Sequence, residues 1–362
     1  MGIPVWSVIG LIVLLGDMMA YEVTIGIPVY NVEKYIRQTV ECVLGQTFES
    51  IEYIFCDDCG TDSSISVIEE IISQHPRGGD VRILRQPRNM GVGCARNRIV
   101  DEARGKYLYF MDSDDLITPN TIELLYQNAL RYQAEIVYGS MDKIFMFKGG
   151  EVYHYRSYPD MQFLKADEFA NYVFRKYDGI QGSTCNFLID INVYKRNGLK
   201  YKAINYWEDF SLTFDLPTYV TRVVMLPNVT YSYMCREDTL SNYQERQSIE
   251  KEEILNTMRA INELKAATDR LRGKPYFARR CYKLMMTCFY ICCTILRNES
   301  IIHPSFSPKE IRDFMRSPLS FTETLGLKDK KLANLFLFSL GCIPPSLAVL
   351  IICMLGKKKG II

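Results

Sequence analysis

Residues 106–115 read KYLYFMDSDD, and this stretch decides the fold. The run from Lys106 to Met111 is short and apolar, as is typical of a strand inside a parallel sheet. Three aspartates, Asp112, Asp114 and Asp115, follow within four positions. Because ligands bind at the carboxyl ends of the strands in such sheets, the sequence concentrates negative charge where a binding site is expected.

The chain on either side alternates short apolar runs with amphipathic segments, which predicts a series of βαβ units and a mostly parallel sheet. The predicted strands are 23–29, 51–56, 81–84 and 106–111, and the predicted helices are 32–44, 63–73, 91–103 and 119–132. Asp62 is the expected N-cap of the second helix, and Thr118 that of the fourth, with Pro119 at its first position.

The periodicity loosens after residue 141, and the remaining elements are shorter. We predict a hairpin, two helices, a last strand and a helical region broken at Pro275; these cover 145–158, 166–176, 207–219, 229–234 and 248–297 respectively. No internal repeat or low-complexity segment occurs.

Polar or acidic residues occur at or just after the carboxyl end of each of the first four predicted strands. They are Pro28 to Asn31, Asp57-Asp58, Arg88-Asn89 and Asp112 to Asp115. Carboxylates as close as those of the last group repel one another unless a cation lies among them. Magnesium and manganese prefer oxygen ligands, commonly one or two carboxylates together with substrate phosphates. A helix-entry loop rich in capping aspartates is the alternative explanation of this group.

These stretches, taken together, resemble the inverting glycosyltransferases of family 2, which have the GT-A fold. The matching pieces are Ile27 to Asn31, Gln46 to Phe48, Asp57-Asp58 through Thr61 to Ser63, Asn89 to Gly91, Ala95 to Asn97 and Asp112 to Asp115, with weaker similarity as far as Glu208-Asp209. Each piece is short, and their order and spacing carry the resemblance. One departure is Cys59-Gly60, where members commonly have Gly-Ser.

The resemblance implies roles for individual positions. Pro28 with Tyr30, Asp58, Asn89 and Arg96 would bind the nucleotide base and its sugar. Asp112 and Asp114 would form the D-x-D motif that holds Mn²⁺ or Mg²⁺. Asp112 would also contact the nucleotide-sugar donor, and Asp115 would lie near the ribose or the metal. Asp209, beside Glu208, would be the catalytic base.

The chemistry agrees with this assignment. A sugar nucleotide releases a diphosphate, whose developing charge a metal ion offsets, and an acceptor hydroxyl needs a base. Direct displacement with one base predicts inversion at the anomeric carbon. The plainer explanation of Glu208-Asp209 is a pair of first-turn acids favoured by the helix dipole.

Arg236 follows the last predicted strand and is a candidate for binding the donor diphosphate. Glu237, Asp238 and Ser241 behind it suggest a flap over the site. A solvated loop is the alternative.

The function expected from the sequence is metal-dependent transfer of a sugar from a nucleotide-diphosphate donor, a UDP-sugar, to a hydroxyl of a growing or lipid-linked glycan. Two alternatives stay open. The first is a catalytically inactive, membrane-associated nucleotide-binding scaffold of the same fold. The second is a sugar nucleotidyltransferase, although residues 29–34 lack the glycine-rich, lysine-bearing loop that such an enzyme needs after its first strand.

Gly91-Val92-Gly93 is a weak match to a dinucleotide fingerprint, because Arg96 replaces its third glycine.

The composition of the chain gives no support for a nucleic-acid partner or a zinc module. Lysine plus arginine (43) nearly equals aspartate plus glutamate (42), so nothing in the overall charge favours nucleic acid. The 12 cysteines form no zinc-module pattern. Cys56 and Cys59 make a single C-x-x-C, which is either a redox pair or, as expected of a cytoplasmic protein, two free thiols.

The two ends of the chain are apolar. Residues 1–20 are either an anchor or the product of a misassigned start, with Met18 or Met19 as the true first residue. Residues 326–362 are apolar and flanked by lysines, which predicts peripheral contact with the cytoplasmic face of a membrane; a buried terminal helix is the alternative. Pro344-Pro345 favours two short helices there. The expected domains are therefore a transferase domain over 21–245, a helical region over 246–325 and this terminal segment.

Overall fold

A computed structural model describes residues 21–175, 181–204, 207–236 and 247–362. The strands are β1 Tyr21–Val29, β2 Ile51–Asp57, β3 Val81–Arg85, β4 Gly105–Phe110, β5 Leu116–Ile117, β6 Ile136–Phe145, β7 Glu151–Arg156, β8 Met161–Phe163, β9 Phe187–Asp190, β10 Val223–Cys235, β11 Ile249–Glu250 and β12 Ile302–His303. The predictions for residues 1–20 and for Glu237, Asp238 and Ser241 lie outside the described residues.

Helices alternate with the first strands and dominate the second half of the chain. They are α1 Ile36–Leu44, α2 Ser64–Gln74, α3 Val92–Glu102, α4 Thr121–Tyr132, α5 Glu168–Arg175, α6 Asn192–Asn197, α7 Glu208–Thr213, α8 Lys251–Ala266, α9 Phe277–Arg297, α10 Pro308–Phe314, α11 Phe321–Gly326, α12 Lys331–Leu340 and α13 Pro345–Lys358.

The chain divides into two compact units that do not follow sequence order. The first contains the described residues up to 162 together with 184–200 and 223–235, and the second contains those of 163–183, 201–222 and 236–362. The first unit therefore includes two later segments of the chain. They add strands β9 and β10 to its sheet and contain the short helix α6.

The main sheet has the strand order β3-β2-β1-β4-β9-β6-β10-β5, with β7 beside β6 and β8 beside β10. Strands β1 to β4 pair in parallel, as the alternating pattern predicts. The sheet as a whole is mixed, because β9 runs antiparallel to both β4 and β6. The α/β fold class is thus confirmed: parallel pairing joins β1 to β4 and also joins β6 to β10.

The core of the first unit lies along β1, where residues 23–29 are all buried. Both faces of this strand are covered, which explains its nearly continuous apolar sequence. Helix α3 packs against it closely: a Cβ added to Gly26 would lie 2.5 Å from Ile99 Cγ2. The carboxyl ends of β1, β2 and β4 are thereby fixed relative to one another.

The predicted start of α4 is wrong. The helix begins at Thr121 rather than at Pro119, and Thr118 does not cap it. Residues 116–117 form β5 instead, and the Thr118 N–H donates to the Thr230 carbonyl at 3.3 Å. Pairing with a strand more than 100 residues away overrides the local capping signal.

The second unit is mainly helical. Its buried arginine, Arg280, donates two hydrogen bonds to the Asp215 carboxylate, at 2.9 and 2.8 Å, and one to Thr268. This bidentate pair joins α9 to the segment before the turn at 216–218. The predicted break at Pro275 is confirmed, because α8 and α9 are separate helices.

The terminal segment also forms two helices, α12 and α13, as Pro344-Pro345 predicts. Among the described residues, no helix combines the length and apolar character needed to cross a membrane.

Candidate active site

The side chain of Asp115 anchors the acidic loop after β4 to strand β10. This side chain is 1% exposed, and both of its oxygens accept hydrogen bonds from β10: one from the Tyr231 hydroxyl at 2.6 Å and one from the Met234 N–H at 2.8 Å. The Tyr231 oxygen in turn accepts the Asp112 N–H at 3.2 Å. Asp115 therefore joins the loop to the last strand of the sheet.

Burial raises the pKa of Asp115 well above its usual value, and the negative charges of Asp112 and Asp114 raise it further. The donors on Tyr231 and Met234 act in the opposite direction. Since both oxygens already have donors, the geometry favours a positioning role for this carboxyl group. Its predicted role at the metal or the ribose stays a prediction.

Replacing Tyr231 with phenylalanine tests this support. We expect unfolding in urea to become easier by about 1–3 kcal/mol, because a buried carboxylate oxygen loses its donor. The control is Tyr109→Phe, another buried tyrosine of the same unit, whose hydroxyl donates to Asn186 at 3.3 Å. Asn186 Oδ1 keeps a second donor in Thr230 at 2.6 Å, so this change should cost less. Equal costs for the two variants would contradict the role given to Tyr231.

Asp112 and Asp114 differ from Asp115 in exposure. The Asp112 side chain is 39% exposed and accepts a hydrogen bond from Arg96 Nη2 at 3.1 Å, while Asp114 is half-buried. Arg96 itself is 3% exposed and lies on α3. A buried guanidinium thus fixes the orientation of one carboxylate, and solvent still reaches the carboxylates at 112 and 114.

The carboxylate oxygens of this loop are of the kind that Mg²⁺ and Mn²⁺ prefer as ligands. No group of three or more histidine, cysteine, aspartate or glutamate side chains in the described ranges is arranged to hold a metal by itself. Magnesium and manganese sites in phosphate-transferring enzymes commonly use one or two carboxylates and take the remaining ligands from phosphates and water. The partly exposed carboxylates of Asp112 and Asp114 fit that requirement, whereas the Asp115 carboxyl group is buried.

Helix α1 supports the loop from the other side. The Thr39 hydroxyl donates to the carbonyls of Ser113 and Asp115 at 3.0 and 3.1 Å. Gln46, which follows this helix, donates to the Thr118 carbonyl at 2.9 Å and accepts the Ile122 N–H at 3.1 Å. Helix α1 and Gln46 therefore hold the backbone of this segment at Ser113, Asp115 and Thr118.

Asp58 organises the neighbouring loop after β3. Its two carboxylate oxygens accept the N–H groups of Met90 and Gly91, each at 2.8 Å. Gly91 has a φ of 86°, a value that glycine adopts without strain, and this turns consecutive N–H groups toward one carboxylate. Burial raises the pKa of Asp58, and the two N–H donors oppose that shift. Asn89 is exposed in the same loop, and its Oδ1 also accepts the Gly91 N–H at 3.1 Å.

The end of β1 completes this edge of the sheet. Pro28 is buried and Tyr30 is 46% exposed. Asn31, at a φ of 51°, accepts the Thr61 N–H at 2.8 Å, and the Asp58 N–H donates to the Val29 carbonyl at 2.9 Å. The structure therefore brings the predicted residues of β1, β2, β3 and β4 to one edge.

The other predicted site residues belong to the second unit. Glu208 and Asp209 form the first turn of α7, where the Thr213 hydroxyl donates to the Asp209 carbonyl at 3.0 Å. Arg236 directly follows β10 and is largely buried. The catalytic and diphosphate-binding roles of these residues stay predictions.

Sequence reasoning missed the residues that support the site. Thr39 and Tyr231 gave no motif signal, since a threonine on a buried helix face and a tyrosine in a strand are ordinary. Gln46 was part of the resemblance but had no assigned role.

The C-x-x-C pair Cys56 and Cys59 lies at the end of β2 and just after it. All twelve cysteines are free, and burial raises the pKa of Cys56 to about 12. A thiol with so high a pKa is protonated near neutral pH and is a weak nucleophile. The structure therefore favours free thiols over a redox pair at Cys56 and Cys59.

The chain is similar to sugar transferases in sequence. Residues 24–198 match the profile described as Glycosyl transferase family 2. The glycosyltransferase GlyG of Streptococcus pneumoniae is 36% identical over 122 residues, which are 34% of this chain and 40% of GlyG. The chondroitin synthase of Escherichia coli is 42% identical over 102 residues, 28% of this chain and 14% of that protein. The chain thus covers less than half the length of these relatives.

The fold has a counterpart among solved structures. The crystal structure of S. aureus TarS 1–349 in complex with UDP-GlcNAc has a TM-score of 0.63 and 15% sequence identity, over 94% of this chain and 92% of that one. Together with the strand order, this defines the class: the chain has the GT-A fold of nucleotide-diphospho-sugar transferases. Within this fold, the similarity to glycosyl transferase family 2 covers residues 24–198 of the 362-residue chain.

Proposed function

We propose that this protein is an inverting glycosyltransferase that moves a sugar from a UDP-sugar to a hydroxyl of a glycan or lipid-linked glycan. The observation that carries the proposal is the acidic loop after β4. Its last carboxylate, Asp115, is buried and saturated by β10, while Asp112 and Asp114 remain accessible. The relatives support the reaction class, and the UDP-GlcNAc complex of TarS supports a UDP-sugar donor.

In this proposal, Asp112 and Asp114 would hold Mn²⁺ or Mg²⁺, and the donor diphosphate would supply further oxygen ligands. The bound ion would offset the charge that develops on the departing diphosphate. Asp58 orders the loop at Met90 and Gly91, beside which the base would bind, with Pro28, Tyr30, Asn89 and Arg96 as its other contacts. Arg236 is the proposed further contact to the diphosphate.

The proposed chemical step is a single displacement. The Asp209 carboxylate takes the proton from the acceptor hydroxyl, with Glu208 beside it. The acceptor oxygen then forms a bond to the anomeric carbon while the bond from that carbon to the diphosphate oxygen breaks. The products are the glycoside with inverted configuration, UDP and a protonated base, which keeps atoms and charge in balance.

We further propose that the protein works at the cytoplasmic face of a membrane, in peripheral contact through residues 326–362. A membrane location would suit a lipid-linked acceptor.

A ligand screen tests the donor proposal. We expect UDP-sugars with Mn²⁺ to raise the melting temperature of the full chain, because a ligand at 100 times its Kd stabilises the folded state by about 2.7 kcal/mol. Either component alone should give a smaller shift. The best binder is then assayed for UDP release with glycan acceptors. Failure of every nucleotide sugar to raise the melting temperature would overturn the proposal, whereas binding without any transfer would favour the scaffold alternative.

A further inference from the structure

The last three helices carry an unusual share of the exposed apolar surface. Of the eighteen large apolar side chains that are exposed among the described residues, seven lie between residues 321 and 354. They are Phe321, Leu325, Leu332, Phe336, Leu347, Leu350 and Met354. We call these seven the terminal apolar face. Single exposed apolar residues are ordinary, whereas seven within the 34 residues from 321 to 354 are a concentration typical of an interaction surface.

The spacing of these residues follows the helical period. In α13, Leu347, Leu350 and Met354 lie at intervals of three and four residues, which places them on one side of the helix. The opposite side is already packed, because Ala348 and Ile352 are fully buried. The exposed residues therefore form a second apolar stripe on α13, separate from the buried stripe that contains Ala348 and Ile352. The most exposed of them, Met354, is 63% exposed.

Helices α11 and α12 repeat this arrangement. Phe321 and Leu325 are four residues apart in α11, and Leu332 and Phe336 are four apart in α12. Leu332 is 81% exposed, whereas Leu337 in the same helix is buried and belongs to the core of the second unit. Helices α12 and α13 therefore each have one side in the core and large apolar side chains toward solvent, and α11 adds Phe321 and Leu325 to the exposed apolar set.

Lysines accompany the terminal apolar face. Six exposed lysines lie between residues 321 and 362, at positions 328, 330, 331, 357, 358 and 359. The same stretch has two acidic residues, Glu323 and Asp329, and both are paired with arginines, Arg272 and Arg279 respectively. The stripe of α13 leads directly into Lys357 and Lys358, three and four positions after Met354. The face is therefore both apolar and strongly positive.

We propose that helices α11 to α13 dock on an anionic lipid surface through the terminal apolar face. Large apolar side chains bordered by lysines suit the boundary between acyl chains and head groups, where the apolar groups insert and the ammonium groups meet anionic lipids. A second copy of this chain suits the face less well, because its lysines would repel those of the partner. The inference deepens the proposed peripheral contact by naming its residues and the charge of the lipid, and it does not depend on sugar transfer.

Vesicle sedimentation with the full chain tests the proposal. Vesicles of phosphatidylcholine with about 30% phosphatidylglycerol are compared with pure phosphatidylcholine, without nucleotide sugar. We expect at least about tenfold tighter binding to the anionic vesicles, and loss of that preference at high salt. Equal binding to both vesicles, or binding to neither, would overturn the proposal.

Two double variants locate the contact. L350S/M354S removes two exposed apolar side chains, and K357Q/K358Q removes two charges; each should weaken binding to anionic vesicles by at least about tenfold. The control V152S/Y153S changes two equally exposed residues of β7 and should bind like the unmodified chain. All variants retain residues 1–20, so any contribution of that segment is common to them. Undiminished binding by both test variants would exclude the terminal apolar face.

Two further measurements complete the experiment. Circular dichroism and the melting temperature should be unchanged in L350S/M354S, because both residues point away from the core. Light scattering reports the oligomeric state. A dimer of the unmodified chain that L350S/M354S abolishes would assign the face to a second copy and overturn the lipid proposal. Sugar transfer is assayed separately with soluble acceptors, so failure of vesicle binding and failure of the proposed reaction give different results.

Discussion

Replacing Asp114 with asparagine is expected to lower sugar transfer about 1,000-fold, and Asp112→Asn should have a similar effect. The accessible carboxylates of this loop are the proposed ligands of the cation that offsets charge on the leaving diphosphate. Loss of several kcal/mol of transition-state stabilisation corresponds to this factor, at about 1.4 kcal/mol for each tenfold change in rate. Initial rates of UDP release with the best donor and acceptor give the measurement.

The same variants should fold normally. Both side chains are partly exposed, and asparagine keeps an oxygen that accepts hydrogen bonds, so we expect the melting temperature to stay within about 2 °C. The control is Asp101→Asn, which removes an exposed carboxylate near the end of α3 and should retain full transfer. Isothermal titration should show that Asp114→Asn weakens Mn²⁺ binding in the presence of UDP by more than about tenfold. Unchanged turnover in both Asp112→Asn and Asp114→Asn would remove the metal assignment.

The second large effect is expected at Asp209. Asp209→Asn should reduce kcat by about 100- to 10,000-fold, the range that a general base contributes, because asparagine cannot take a proton from the acceptor hydroxyl. Donor binding should persist, so the melting-temperature shift with a UDP-sugar and Mn²⁺ is expected to stay as in the unmodified chain. This combination separates a catalytic role from a binding role.

Glu208→Gln is the matched control, since it changes the preceding acid in the first turn of α7. If both acids only favour the helix dipole, the two variants should show the same small loss of stability and unaltered transfer. If Asp209 is the base, only its replacement should greatly reduce kcat. Unaltered transfer by Asp209→Asn would place the base elsewhere in the chain.

The sequence anticipated the part of the sheet that the first βαβ units build. Strands β1 to β4 and helices α1 to α3 lie close to their predicted ranges, because alternating apolar runs and amphipathic segments encode parallel βαβ units. The position of the acidic loop was equally predictable from the sequence, since three aspartates directly after a buried strand have few structural explanations.

The later strands were less predictable. Strand β9 has only four residues and lies antiparallel between β4 and β6, and the pattern after residue 141 contained no signal for it. The start of α4 was misplaced for a related reason, because the pairing of β5 with β10 decides where that segment ends. Partners distant in the chain determined both outcomes.

The amino-acid sequence by itself determined the order of the first βαβ units, the position of the carboxylates behind β4 and the apolar, lysine-flanked character of the terminal segment. Tertiary structure decided which carboxylates are available. Asp112, Asp114 and Asp115 are nearly equivalent in sequence, yet Tyr231 and Met234 bury and saturate only Asp115. Periodicity along a chain reports which side of an element is apolar, whereas the hydrogen bonds of a buried side chain depend on strands that only the folded sheet brings together.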